Sequence, residues 1–323
     1  MRVLLTGAAG FIASHVAQRL LDGGDQVVGL DVFSELVYPN DLRQARVARL
    51  TGRPGFELRR IDLADAPAVE ALVAEVKPDV VLHLGGHANL RVSVREPLEY
   101  ARANLVGTMA VLEAMRKAGV GKIVFASTSS VYGLDPSYPW REDRPADRPL
   151  APYPASKRAG ELLCHSYHAM AGFDVYVLRF FNAYGPWGRP DMMPFQVTRA
   201  LEERGRLTIF GGGSPKRDWT YVEEIADGVV AAGRRASGYE IINLGRGEPV
   251  ALSEFVSILE ELTGRKLQHD DAPLPPTETP ITYADVSKAR RLLDYDPKVS
   301  LREGLERFVS WYRSYYGAPA RAR

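Results

Sequence analysis

The chain has 323 residues, a formal net charge of +1 and a single cysteine, Cys164. That length allows one large domain or two interlocked ones with an ample core. Near-neutral charge argues against a nucleic-acid or membrane-surface role. One cysteine leaves no disulfide framework and no CxxC metal or redox motif, and no apolar run approaches the roughly 18 residues of a membrane span. A signal peptide is not expected either, so the setting predicted is the reducing cytoplasm.

In chain order, β-branched runs predict strands at 2–5, 26–31, 80–84, 123–126 and 175–179. Helical patterns between them cover 10–22, 65–77, 97–118 and 154–172. Strands alternating with helices predict a parallel sheet covered on both faces. The runs VVGLD, VVLHL and IVFAS are apolar throughout, as parallel strands buried on both faces should be. After about residue 179, Pro and Gly become frequent, in AYGPWGRPDMMP, FGGGSPKRDW and DDAPLPPTETP. The expected architecture is α/β, a Rossmann-type doubly wound parallel sheet with a smaller, loop-rich C-terminal substrate domain. The expected division is 1–178 for a domain holding a nucleotide cofactor and 179–323 for a substrate domain, with segments near 218–238 returning to the first. The tail from Gly317 is expected to fray.

Gly7 and Gly10 follow the first strand and open the first helix. Gly7 permits the tight turn, and Gly10 lets the backbone approach a pyrophosphate seated on the helix N-terminus. Ala13 stands where this spacing usually has a third glycine, at the cost of one methyl group of clearance. The second strand ends at Asp31, whose carboxylate suits both hydroxyls of an adenosine ribose and repels a 2′-phosphate, so NAD is favoured over NADP.

Tyr153 and Lys157 are four residues apart and share one helix face. A fixed cation beside a phenol favours phenolate, and Lys157 is expected to draw Tyr153 towards neutrality as a general base. The strand at 123–126 runs into four consecutive hydroxyl residues, Ser127 to Ser130. Ligands bind beyond the carboxyl ends of parallel strands, and hydroxyls both donate and accept, as a site alternating between alcohol and ketone needs. One or two serines would suffice for a cap, and Ser127 can be structural alone. His165 and His168 have no third partner for a metal, so no metal site is expected.

TGAAGFIASH, HLGGHANLRVSVREP, NLVGT, FASTSSVYG, YPASK and RDWTYVEEIADG together resemble the extended short-chain dehydrogenase/reductase family, enzymes of nucleotide sugars. RFFNAYGPWGRPDMMPF is similar to the uronate 4-epimerase subgroup. The resemblance implies Thr128, Tyr153 and Lys157 as catalytic residues. It implies NAD contacts from Gly7, Gly10, Phe11, Ile12, Asp31, Asp62, Leu63, Leu84, Gly85, Gly86, His87, Tyr153 and Lys157, with Asn104 structural. Substrate contacts are expected from Arg91, Thr128, Ser129, Ser130, Tyr153, Asn182 and Arg189, with Arg217 on the diphosphate of a UDP-sugar and Glu278 on the uridine ribose. Uracil and thymine are not separated by these residues. A homodimer through helices 97–118 and 154–172 is also implied, although packing within one subunit would give the same apolar pattern.

The reaction implied is a 4-epimerisation through a transient 4-keto sugar, with UDP-glucuronate giving UDP-galacturonate. Relatives that dehydrate the sugar carry an Asp-Glu pair after the catalytic Thr, and decarboxylating ones usually keep a Glu. Here Ser129-Ser130 stand there, and neither ionises near pH 7. A 4-keto uronate is a β-keto acid, so its carboxylate must be held. Arg189 with the hydroxyl run is the expected grip, against a loop pairing of Arg189 with Asp191. Asn182 stands where uronate epimerases tend to carry Thr, which leaves UDP-glucose or UDP-N-acetylglucosamine as alternative substrates. His87 replaces a usual Gln. Arg217 can alternatively pair with Asp218 or Glu223. Remoter readings are a nucleotide-sugar dehydrogenase and a non-catalytic NAD-binding module; the second would be expected to lack Tyr153 or Lys157.

Overall fold

A computed structural model describes residues 1–317. The first half runs β1 (Arg2–Thr6), α1 (Phe11–Asp22), β2 (Gln26–Leu30), α2 (Asp41–Ala48), β3 (Phe56–Arg59), α3 (Ala66–Val76) and β4 (Val80–His83). Then come α4 (Leu90–Arg95), α5 (Pro97–Ala101), α6 (Gly107–Ala118), β5 (Lys122–Thr128), α7 (Pro152–Ala171) and β6 (Asp174–Phe180). The second half adds β7 (Asn182–Tyr184), α8 (Met193–Glu203), β8 (Arg206–Phe210), β9 (Lys216–Tyr221), α9 (Val222–Arg235) and β10 (Tyr239–Leu244). It closes with β11 (Pro249–Ala251), α10 (Leu252–Thr263), β12 (Gln268–Ala272), α11 (Ser287–Leu293) and α12 (Leu301–Tyr316).

Seven strands form one parallel sheet in the order β10-β6-β5-β4-β1-β2-β3. Its two faces build separate cores, because successive strand residues point to opposite sides. Val3 and Leu5 of β1 meet α1 and α9 on one face, while Leu4 meets α3, α6 and α7 on the other. The winding reverses between β1 and β4, and the loops beyond both strands open a crevice there. A smaller unit packs beside the crevice: β9 pairs with β7 and β11, β8 pairs with β12, and α8, α10 and α12 enclose Trp219, Phe255 and Leu305.

Several elements depart from the sequence expectation. The helix predicted over 97–118 is three pieces, α5, a π turn at Arg102–Val106, and α6. β5 continues two residues further than its apolar run, taking in Ser127 and Thr128. The returning segment includes the helix α9 and the strand β10, which pairs with β6. Helix α2 was not anticipated, since its buried residues are only Leu42 and Arg46 and no apolar stripe marks it. The expected frayed tail lies at 318–323, outside the described residues. Among the described residues, no helix is long and apolar enough to cross a membrane.

Candidate active site

A cavity of about 740 Å³ fills the crevice. Its floor is the turn from β1 into α1. Gly7 has φ +70°, and a Cβ there would come within 2.8 Å of Gly85 Cα. The Gly7 amide donates to Leu30 O at 2.7 Å and the Gly10 amide to Gly7 O at 2.7 Å, which folds the turn tightly. No side chain caps α1, and its first turn carries no acid, so its leading N–H groups stay open to an anion. Ala13 is buried in the core on the sheet side, where its small size allows close packing.

Asp31 stands just past β2. Its carboxylate accepts from the Ala9 amide at 3.0 Å and the Phe33 amide at 2.7 Å. Burial raises its pKa, while these two amides oppose the rise. Asp62 accepts from the Ala64 amide at 2.9 Å and from Arg102 at 2.8 Å.

The loop after β4 is set by hydroxyls and one neutral imidazole. Burial drives the His83 pKa down to about 3. Thr108 donates to Asn104 O at 2.6 Å, which leaves its oxygen to accept from His83 Nε2–H at 3.0 Å. His83 Nδ1 then accepts from Thr6 Oγ1 at 2.8 Å, and Thr6 Oγ1 accepts from the Gly85 amide at 2.8 Å. Asn104, on the π turn, accepts from the His87 amide at 2.7 Å and donates to His87 O and Ser156 Oγ, both at 2.9 Å. Ser156 Oγ donates to Tyr153 O at 2.7 Å. The loop carrying Gly86 and His87 is thereby tied to the helix carrying Tyr153 and Lys157.

Thr128, Ser129, Ser130, Tyr153, Lys157, Asn182 and Arg189 line the same cavity as Gly7, Gly10, Phe11, Ile12, Asp31, Asp62, Leu63, Leu84, Gly85, Gly86 and His87. Residues from seven separate chain segments thus meet at one place. Thr128 Oγ1 also accepts from the Ser130 amide at 3.2 Å, turning the chain into the short 3-10 helix Ser129–Tyr132. Ser127 also borders the cavity, but its hydroxyl is turned to the other side. It donates to Glu161 at 2.5 Å, and Glu161 also accepts from Arg179 at 2.9 and 2.8 Å and from Arg158 at 2.8 Å. Its role is therefore structural.

The electrostatics at Tyr153 differ from the spacing argument. Burial pushes the phenol above its ordinary value, and Thr128 and Arg189 act against that rise. The opposing cation is Arg189 from a distant loop. Lys157 is itself pushed down to about 8 by burial. Sharing a helix face therefore does not by itself make Lys157 the dominant charge on the phenol. Arg189 makes the loop pairing that stood as the alternative to a carboxylate grip: Asp191 clamps it, with Nε donating at 3.0 Å and Nη2 at 2.5 Å, and Nη2 also donates to Ala88 O at 3.0 Å. Asn89 donates to the same carboxylate at 2.7 Å.

Arg91, Arg217 and Glu278 are outside this lining and form their own cluster. Glu278 accepts from Arg91 at 2.9 Å and lies 3.5 Å from Arg217 Nη2. Arg217 pairs with neither Asp218 nor Glu223. Asp218 is buried and accepts the amides of Arg246, Gly247 and Ala284, while Glu223 pairs with Arg19. Asn182 Oδ1 accepts from Thr282 at 2.9 Å. His165 and His168 lie against Tyr239, with ring centroids 4.8 and 5.8 Å away. Tyr38 and Arg43 also line the cavity and were not anticipated; their only sequence signal is a short arginine-rich helix after the acid-ended second strand.

The model of the NAD dependent epimerase/dehydratase family matches residues 3–245. A UDP-glucuronate 4-epimerase of Thermodesulfobacterium geofontis is 39% identical over 310 residues, 95% of each chain. The crystal structure of a Bacillus cereus UDP-glucuronic acid 4-epimerase with UDP-glucuronic acid and NAD superposes with a TM-score of 0.91, at 36% identity over 98% of this chain and 100% of that one. A Thermotoga maritima UDP-glucose 4-epimerase with UDP-glucose superposes at 0.89, with 28% identity over 98% and 100% of the two chains.

Proposed function

The chain belongs to the NAD-dependent epimerase/dehydratase family, and on that premise we propose that it is an NAD-dependent UDP-sugar 4-epimerase, an isomerase of the extended short-chain dehydrogenase/reductase type, acting on UDP-glucuronate. The observation that carries the reading is the meeting of Thr128, Tyr153 and the glycine turn in one cavity, with Ser129 and Ser130 beside Thr128 and no acid in their place. The residues fit a dinucleotide. A Cβ on Gly7 would come within 2.8 Å of Gly85 and one on Gly85 within 2.6 Å of Leu63, so the turn and the loop after β4 can close together as the base of a dinucleotide site only with glycine at both. Gly7, Gly10, Phe11 and Ile12 are assigned to the pyrophosphate side, and Asp31 to the adenosine ribose. Asp62, Leu63, Leu84, Gly85, Gly86, His87 and Lys157 are assigned to the rest of NAD.

NAD, when bound, supplies the acceptor for a hydride from C4 of the sugar and the donor that returns it. Tyr153 takes the proton of the 4-hydroxyl, and Thr128 holds that oxygen. The sugar then turns over and regains the proton from Tyr153 on its other face, so C4 is inverted with no net redox change. Ser129 and Ser130 lack the acid–base capacity that elimination or acid-assisted decarboxylation requires. With Arg189 they hold the C5 carboxylate out of the orientation that loses carbon dioxide. Arg217 and Arg91 are assigned to the diphosphate, with Glu278 on the ribose. Residues 1–178, with the segment returning through α9 and β10, serve NAD, and the remainder of 179–323 serves the nucleotide sugar.

The test is incubation with UDP-glucuronate while following absorbance at 340 nm and product stereochemistry. UDP-galacturonate without free NADH supports the proposal; accumulating NADH would mean a dehydrogenase, and no reaction with UDP-glucuronate, UDP-glucose or UDP-N-acetylglucosamine a non-catalytic module. Arg189→Ala should lower turnover of UDP-glucuronate at least about tenfold more than that of UDP-glucose, the scale of one charge-assisted bond. Equal losses would remove Arg189 from carboxylate binding. A neutral hexose is the second reading, favoured by Asn182 in the cavity wall, and the same assay with UDP-glucose and UDP-N-acetylglucosamine ranks the three.

We further propose a homodimer through α5, α6 and α7. Leu98 is 82% exposed there, Met109, Leu162 and Met170 are also exposed on these helices, and so is Val106 in the π turn between α5 and α6. Such an apolar face on a surface calls for a partner. Light scattering should give twice the mass of one chain, falling to one in Leu98→Glu/Leu162→Glu; a parent of single-chain mass contradicts this. The cytoplasm remains the proposed location, in keeping with a buried, unpaired Cys164.

A further inference from the structure

Arg46 is fully buried, at 0% exposure. It uses all five of its N–H donors. Nε donates to Trp187 O at 2.9 Å, Nη1 to Ala9 O at 3.2 Å and Tyr38 Oη at 2.9 Å, and Nη2 to Trp187 O at 2.7 Å and Gly188 O at 3.3 Å. All of these acceptors are uncharged. Burying a guanidinium on neutral acceptors is costly, and a leucine would fill a helix interior more cheaply.

The acceptors belong to three distant segments. Ala9 lies inside the glycine turn, and its amide holds Asp31. Tyr38 lines the cavity beyond β2. Trp187 and Gly188 precede Arg189, the cation facing Tyr153. His15 of α1 adds a further tie: its Nε2 is 3.0 Å from Pro186 O, and burial lowers its pKa to about 4, so the neutral ring donates Nε2–H. Three successive carbonyls, Pro186 to Gly188, are therefore held by side chains from the glycine-turn helix and from α2. Trp187 has φ +64°, a left-handed backbone that a bulky residue seldom adopts, so the turn depends on these external bonds.

We infer that Arg46 is a positioning residue that couples the dinucleotide turn to the loop carrying Arg189, so that NAD binding at one orders the other. The link is direct, because a single rigid guanidinium fork bonds both backbones, and a displacement at Ala9 reaches Trp187 through one side chain. Loosening the fork should weaken NAD binding and free the loop together. The inference rests on the NAD reading above and is independent of which sugar is the substrate.

The test uses protein stripped of NAD and then titrated with it, read by calorimetry and by amide hydrogen exchange. In the parent, saturating NAD should slow exchange across 185–192. Arg46→Gln should bind NAD at least tenfold more weakly and, even at saturation, show no slowing in that segment. Arg46→Lys retains the charge on a single nitrogen that cannot span all the acceptors, so it should recover affinity in part and leave the loop unresponsive. A purely structural Arg46 would lower the melting temperature yet leave the response of 185–192 to NAD intact, and that result overturns the inference. So does a parent whose 185–192 amides ignore bound NAD, a result that needs no variant. A parent that takes up no NAD in calorimetry would sink the functional proposal instead.

Discussion

Tyr153→Phe should interconvert the UDP-sugars at least about a thousandfold more slowly than the parent, within the range attributed to a positioned general base. NAD binding should survive, since the glycine turn and Asp31 are untouched. The cause is the loss of the only group assigned to take the 4-hydroxyl proton. The direction of the phenol's shift adds a pH signature. Burial raises the Tyr153 pKa, so the base form grows as pH rises. Lys157, pushed down to about 8, keeps its charge below that pH and loses it above. If both the phenolate and the ammonium are required, kcat/KM should climb about tenfold per pH unit towards 8 and then level off, as loss of the ammonium cancels further gain of phenolate. A profile flat from pH 6 to 8 would contradict this assignment.

Arg179→Met should destabilise the fold by about 3 kcal/mol at pH 7, the low end of the cost of breaking a buried ion pair, because Arg158 and Ser127 still bond Glu161. Arg179 and Glu161 are 1% and 0% exposed, and the pair sits directly behind the strand end that delivers Thr128. Burial alone would raise the Glu161 pKa, but the Arg179 fork outweighs it and the carboxyl lies below its ordinary value of 4.5. A depressed carboxyl stabilises the folded state above its unfolded pKa, and that contribution fades as pH falls through the folded value. Without Arg179 the depression is smaller, because only Arg158 and Ser127 are left to oppose burial, so the variant has less of this contribution to lose. The gap between parent and variant, measured by urea unfolding, should therefore hold from pH 7 to pH 5 and narrow as pH falls below the ordinary value of 4.5. Replacing both partners, as Arg179→Met with Glu161→Leu, should recover much of the loss. Parent-like stability of the single variant at pH 7 would remove the pair from the account.

What the sequence made legible was whatever rests on local pattern. The alternation of strands and helices comes from apolar periodicity, which any parallel sheet must satisfy, and it located most of the central sheet. The turn at Gly7 and Gly10, Asp31 at a strand end, and Tyr153 four residues before Lys157 are short-range features, and all of them meet in the cavity. What stayed hidden depends on partners far along the chain. Arg46 looks like one more polar residue of a charged helix until Trp187, 141 positions away, accepts its hydrogen bonds. Ser127 and Thr128 are adjacent hydroxyls with opposite duties, and only the pleat of β5 sends one to Glu161 and the other to the cavity. Strand β10 follows α9, far along the chain from β6, and its pairing with β6 depends on tertiary packing. Helix spacing reports which residues share a face, whereas the upward shift of Tyr153 comes from burial, opposed by Thr128 and by Arg189 of a distant loop.

The most direct measurement follows a label at the sugar's C4. UDP-glucuronate carrying deuterium there is turned over in ordinary water, and the product is examined by NMR. Because the hydride is lent to enclosed NAD and returned to the same carbon, UDP-galacturonate should keep its deuterium at C4 with no gain of solvent hydrogen. Loss of the deuterium to water at the rate of inversion would contradict the account.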